Sequence, residues 1–142
     1  MDQIREISPP LSHKKMEAGI AASTQLKALL EEIQNMLFQL QHIGESNIID
    51  IHSLPLMPSD YAQLKALLGS GEVKASVSAL GPTDIYETQI PAIWWVKHFN
   101  SNHEIIAEYI EVTTIPEILK TQTHDLETAG EELKARIALI SE

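Results

Sequence analysis

Cysteine does not occur anywhere in this 142-residue sequence. Its absence removes disulfides, thiolate-held zinc, iron–sulfur sites and any thiol nucleophile, and it fits a chain working in a reducing cytoplasm. Also missing is any run of about 18 apolar residues, the length a membrane helix needs. Met1 to Leu11 carry no apolar core of the secretory kind, so no such signal is expected. Bases are scarce: ten Lys and Arg stand against twenty Asp and Glu, a formal net charge of −10. A surface of that sign repels duplex nucleic acid and anionic membrane.

What is present is ordinary globular material. Hydrophobic residues make up 44% and charged residues 21%, which argues against disorder for most of the chain. A length of 142 residues fits one domain with a sizeable core. The acidity is uneven. From Ser101 onward there are nine acids (Glu104, Glu108, Glu111, Glu117, Asp125, Glu127, Glu131, Glu132, Glu142) and three bases (Lys120, Lys134, Arg136), a local balance of −6. Either this is a solvated face that keeps the chain soluble, or it docks a basic partner.

Residues 1–23 read as a flexible lead-in, because Ser8-Pro9-Pro10 disfavours helix and Gly19 weakens a turn around Lys14–Ala22. A single α+β domain is expected over residues 24–142. From Thr24, Leu26, Leu29, Leu30, Ile33, Leu37 and Leu40 form one helical stripe, capped by Ser23 or Thr24 and stopped by Gly44. Ile48–Ile51 reads as a short strand, and Asp60–Leu68 as a second helix capped by Ser59 and ended by Gly69. Beyond Glu72 the period becomes two: Val73, Ala75, Val77 and Ala79 are expected to face inward and Glu72, Lys74, Ser76 and Ser78 outward. Gly81-Pro82-Thr83-Asp84 reads as a turn. Strands are then expected at Ile85–Ile90, Ile93–Phe99 and Glu104–Thr113, with Asn100–His103 as a hairpin turn. Pro116 opens a last long helix, whose Leu119, Leu126, Leu133 and Ile140 stand seven apart and ask for a sheet or another helix to pack on. The architecture is thus an antiparallel meander of about four to five strands, with helices on one face and a long C-terminal helix.

No catalytic constellation is legible. The six histidines are scattered, none at the i, i+4 spacing of a helical metal pair, which speaks against a metal site or nickel-carrier role. Leu68-Gly69-Ser70-Gly71-Glu72 resembles a nucleophile elbow only superficially; Gly69, Gly71, Gly81, Pro82 and Pro91 read as loop-shaping residues. Trp94 and Trp95 are adjacent in a strand and must point to opposite faces. Either both are covered within the fold, or one is left for a partner. Glu72, Glu87, Trp94 and Trp95 are the candidate partner-binding residues; no cofactor is expected.

Ile49-Asp50-Ile51-His52-Ser53-Leu54-Pro55, Leu68-Gly69-Ser70-Gly71-Glu72-Val73, Leu80-Gly81-Pro82-Thr83 and Glu87-Thr88-Gln89-Ile90-Pro91-Ala92-Ile93-Trp94-Trp95-Val96 stand in that order. Together they resemble the C-terminal conserved domain of the HupH/HyaF hydrogenase expression/formation proteins, over about Ile33 to Leu119. The resemblance implies an accessory, chaperone- or scaffold-like role in maturing a nickel–iron hydrogenase. The implied partner is a hydrogenase subunit precursor or another maturation protein, and the chain binds rather than catalyses. A small-molecule or metal-binding regulatory domain, with a pocket near Glu72 and Glu87, is the alternative. Two departures stand out. Ala92 occupies a position where the family pattern has Gly. Members are often about twice this length, with a further related region, so a single domain is expected to pair with itself as a homodimer through an outward Trp and the sheet edge.

Overall fold

The computed structural model describes residues 23–79 and 81–140. The lead-in expected over residues 1–23 lies outside them, save for Ser23. Helix α1 (Thr24–Ile43) starts where Ser23 Oγ accepts the Leu26 backbone N–H at 3.1 Å. It stops at Gly44, whose φ of 70° turns the chain left-handed while its N–H bonds to the Leu40 carbonyl. Serine satisfies a donor the first turn leaves free, and glycine takes the left-handed turn without a Cβ penalty. Then follow β1 (Asn47–Asp50), α2 (Pro58–Leu68), β2 (Lys74–Ser78), β3 (Pro82–Glu87), β4 (Ile93–Phe99) and β5 (Ile105–Val112). A 3-10 turn (Glu117–Leu119) and α3 (Thr123–Ile137) complete the described chain.

The strands make one antiparallel sheet in the order β1-β5-β4-β3-β2. The expected meander is β2 to β5, and β1 joins it at the far edge beside β5. Helices α1 and α2 lie on one face. Leu26, Leu29, Ile33 and Met36 of α1 and Leu64 and Leu68 of α2 are buried with Ile49, Ile93, Trp95, Ile110 and Val112 of the sheet. The opposite face carries a smaller cluster of Ile85, Trp94 and Val96, with Ile118 and Leu119 of the 3-10 turn packed against it. The expected α+β layering, helices on one sheet face, is what forms.

Several boundaries differ from the periodicity. Helix α2 begins at Pro58, two residues ahead of Asp60. Its first turn is held by Asp60, whose carboxylate accepts the Met57 N–H at 3.2 Å, and Ser59 does not cap it. Proline at a first helical position loses nothing, since that N–H has no helical partner. Strand β3 takes in Pro82, Thr83 and Asp84, read above as a turn, and ends at Glu87. Pro82 opens the strand opposite Ser78, where its missing N–H costs the ladder little. In β2 only Ala75 and Val77 turn inward, while Val73, which precedes the edge strand, is 46% exposed. The last helix is split. Leu119 is drawn onto the Trp94 cluster, Lys120 is extended at φ −81° and ψ 141°, and α3 starts only at Thr123. No residue of α3 is buried, so the apolar stripe expected to pack on the sheet or a helix lies exposed.

Ala92 sits at φ 71°, between β3 and β4, and Thr113 donates its N–H to the Ala92 carbonyl at 3.0 Å. A left-handed alanine costs about 1–2 kcal/mol, while glycine there adds about 0.4–1 kcal/mol of unfolded-chain entropy. Ala92→Gly is therefore expected to raise stability by roughly 0.5–1 kcal/mol, read as a higher urea midpoint. A lower midpoint contradicts the strain at this residue.

Candidate functional site

The helix-side face of the sheet is only partly covered. Side chains two apart share a face, so Trp95 and Lys97 of β4 look the same way as Glu108 and Ile110 of β5 and Asp84 and Tyr86 of β3. Near Trp95 this face is apolar and lies beneath α2. One step further along the strands it becomes a polar row: Ser76, Asp84, Lys97 and Glu108 stand side by side across β2, β3, β4 and β5. Helix α2 ends above the boundary, and a cleft of about 540 Å³ opens there, lined by Lys65, Lys74, Ser76, Asp84, Tyr86 and Lys97. Three of the chain's ten basic residues thus meet in one depression of an acidic protein.

Beneath the cleft, next to Lys97, lies Glu108, which is 4% exposed. The Glu108 carboxylate accepts the Trp95 indole N–H at 2.6 Å and the Tyr61 hydroxyl, and Lys97 Nζ stands 3.9 Å away. A buried carboxylate persists only with such donors, since leaving it unpaired costs several kcal/mol. Tyr61 meets Trp95 edge-on at 5.7 Å, and Tyr86 stacks parallel to Trp95 at 6.2 Å. Lys65 Nζ stands over these rings, 5.0 Å from Trp95, 5.6 Å from Tyr61 and 6.0 Å from Tyr86. Negative ring faces attract the ammonium. Burial, helped by the Lys97 ammonium beside it, nonetheless lowers Lys65 from 10.5 to about 8, with Glu108 pulling the other way. Burial and the Glu108 carboxylate push Tyr86 up to about 12, and burial with the Glu108 hydrogen bond raises Tyr61 further. The cleft therefore presents the Tyr86 phenol and three crowded lysines against one carboxylate, Asp84, a set with a cationic balance that suits an anionic group.

The loops beside the cleft contain the sequence candidates. Gly71 donates its N–H to the Glu87 carbonyl at 2.8 Å, Glu87 donates to Val73 at 2.9 Å, and Gln89 donates to Leu68 at 2.8 Å. The Leu68–Val73 segment is thereby laced to Glu87–Gln89. Gly69, at φ 67°, ends α2. A Cβ on Gly71 would stand 2.6 Å from the Thr88 carbonyl oxygen, so only glycine fits that approach. Gly81 runs against the Phe99 carbonyl, and Pro91 stands in the turn before β4. Glu72 is exposed and Glu87 half-buried, its carboxylate accepting the Ala92 N–H at 3.2 Å. They line a second depression of about 510 Å³, separated from the first by the Gly69–Gly71 loop, with Ser70 on both walls.

Of the two arrangements the sequence leaves open for the tryptophans, both covered or one outward, the structure has both covered. They do point to opposite faces, yet Trp95 is 0% and Trp94 6% exposed. Trp94 is covered by Ile118 and Leu119 and gives its indole N–H to the Thr113 carbonyl at 3.1 Å. Both are therefore placed to shape the site from within. On the Trp94 face His98 shares hydrogen bonds with Thr83 at 2.7 Å and Tyr109 at 3.3 Å. Among the described residues no group of three or more His, Asp or Glu is arranged to hold a metal. The periodicity did not single out Lys65, Lys97 and Glu108. Their signal was a charge at an inward position: Lys97 two beyond Trp95, and Glu108 two before Ile110.

Residues 24–140, which include both depressions and every strand, match the family described as HupH hydrogenase expression protein, C-terminal conserved region. The chain belongs to this family. It is 33% identical over 92 residues to the hydrogenase expression/formation protein HoxQ of Azotobacter vinelandii, covering 65% of this chain and 32% of that protein. It is 32% identical over 91 residues to HupH of Rhodobacter capsulatus, covering 64% of this chain and 33% of the relative. The match thus spans about a third of these relatives' length. The solved structure of the hydrogenase expression protein HupH from Thiobacillus denitrificans ATCC 25259 is similar at a TM-score of 0.79 and 36% identity, over 84% of this chain and all of that one. These relatives are named for hydrogenase expression and formation.

The lowered Lys65 has a consequence for stability. The folded chain holds that proton less tightly than the unfolded one, so folding releases it between about pH 8 and 10.5. Lys65's contribution to stability is therefore lowest below pH 8 and rises as pH climbs through that window. Lys65→Met is expected to flatten the rise, read as the difference in urea midpoint between the two ends of the window. An unchanged slope contradicts the burial of the ammonium.

Proposed function

We propose that this chain serves maturation of a nickel–iron hydrogenase in the cytoplasm by binding a hydrogenase subunit precursor or a second maturation factor, without catalysing a reaction. The observation that supports this most is the lysine cleft over Glu108. Tyr86 lines it, three lysines outnumber the one carboxylate of Asp84 in its wall, and no nucleophile in it has an activating base within the described hydrogen bonds. Such a surface grips an acidic side chain or a terminal carboxylate of a partner. Glu72 and Glu87, on the adjoining depression, extend the contact. Trp94 and Trp95 stiffen the sheet beneath it. No helix among the described residues is long and apolar enough to cross a membrane.

The second depression favours one other reading, a small-molecule regulatory site beside Glu72 and Glu87. A thermal-shift screen separates the two, since a ligand that raises Tm by several degrees acts through a pocket.

Affinity capture from hydrogenase-producing cells tests the main reading. The parent chain is expected to recover a hydrogenase subunit precursor or another maturation protein. Lys65→Gln combined with Lys74→Gln, which removes two charged donors worth about 1.5–3 kcal/mol each, should lower recovery at least about tenfold with the fold intact by circular dichroism. Undiminished recovery by the double variant, or capture of no hydrogenase component by the parent chain, overturns it.

A further inference from the structure

Helix α3 is not accounted for by the sheet or by the cleft. It is 15 residues long, about 22 Å, and none of its residues is buried. Leu126 is 66% exposed, Leu133 60% and Ile137 58%, with Ile140 beyond the helix end at 74%. A helix of this length with glycine at its centre is marginal alone, because short helices draw most of their stability from packing. An exposed apolar face of that size marks an interaction site.

The spacing identifies the occupant. Leu126, Gly130, Leu133, Ile137 and Ile140 follow steps of four, three, four and three, the seam of a two-stranded coiled coil. Two registers are open to a pair of identical helices. In a parallel pair Gly130 faces Gly130, which leaves a void, and the flanking positions bring Ala129 opposite Lys134 and Gln122 opposite Glu127, so no ion pair forms. In an antiparallel pair Leu133 of each copy lies over Gly130 of the other, where an added Cβ meets nothing within 4 Å, and Leu126 lies over Ile137. Flanking positions then bring Glu127 opposite Lys134 twice, by symmetry. Apolar fit and charge both select the antiparallel arrangement.

We infer that α3 is a self-association surface, pairing with α3 of a second copy in antiparallel fashion. The indoles take no part in it, since both are covered within the fold. Six large apolar side chains, Leu126, Leu133 and Ile137 from each copy, come together within the helices, an area below about 1,200 Å², the size of weak and transient contacts, so the pair is reversible at micromolar concentration. Asp125, Glu131 and Glu132 stay on the outer side of the helices and keep the pair soluble.

Sedimentation of the full chain is expected to give twice the 15.8 kDa monomer mass at about 100 µM, a concentration that populates a micromolar dimer. Leu133→Asp should give a monomer without changing the thermal melt of the sheet, since no residue of α3 is buried against it. Lys134→Glu should weaken association at least about tenfold by placing like charges together, and Glu127→Lys in the same chain should restore it. Because the chain has no cysteine, orientation is read directly. A mixture of Glu127→Cys and Lys134→Cys chains should oxidise to a mixed disulfide, whereas neither chain alone should cross-link. A monomeric parent chain, a dimer indifferent to Leu133→Asp, charge reversal without rescue, or cross-linking of a single variant with itself each overturns the proposal. So does a monomer destabilised by Leu133→Asp, which would mean that another part of the same chain covers the helix.

Discussion

A carboxylate inside the sheet governs the geometry of this protein. Glu108 lies on the helix-facing side of β5, where the neighbouring inward positions are Ile110 and Val112, and it is 4% exposed. Its side chain holds the Trp95 indole of β4 and the Tyr61 hydroxyl of α2, and its backbone carbonyl accepts the Ile51 and His52 N–H groups at 3.0 and 3.1 Å where β1 runs out. One residue therefore joins an edge strand, a central strand and a helix. A buried acid tolerates few changes around it, because removing any donor leaves charge without compensation. That fixes the position of α2 above Trp95, and the end of α2 in turn forms one wall of the cleft.

The loop glycines serve the same arrangement from the other side. Gly69 ends α2 at a positive φ of 67°, and Gly71 lets the following segment lie against Thr88. Their effect is to bring Lys65 and Ser70 next to the sheet. The acidic average of the chain and the basic character of the cleft are compatible for this reason. Nine of the twenty acids follow Ser101, four of them on exposed positions of α3, while the sheet gathers Lys74 and Lys97 beneath Lys65.

Much of this was legible in the residues, and the exceptions have physical causes. Helix α1 declares itself through a stripe with a serine at one end and a glycine at the other. Strands β4 and β5 declare themselves as β-branched and aromatic runs on either side of an asparagine turn. The boundary of β3 was misplaced because Pro82 marks turns in general, yet is accepted at the first residue of a strand. The break at Lys120 was hidden because Leu119 and Leu126 share a heptad with the rest of α3, and only the cluster around Trp94 shows that Leu119 belongs to the sheet. The two indoles were correctly set on opposite faces, but periodicity does not report what lies above a face. The cleft escaped notice because its lysines and glutamate are far apart in sequence and meet only through the strand register. Ala92 stood out against the family pattern, and its φ of 71° gives the physical reason for glycine there.

The Tyr61–Glu108 contact ties helix to sheet, and a double-mutant cycle measures it directly. Tyr61→Phe, Glu108→Gln and the combined variant, each compared with the parent chain by urea unfolding, yield the coupling between the two groups without assuming what either is worth alone. A hydrogen bond to a buried carboxylate predicts a coupling of about 1.5–3 kcal/mol. Simple additivity of the two substitutions would contradict it, and with it the claim that Glu108 positions α2 to form the cleft.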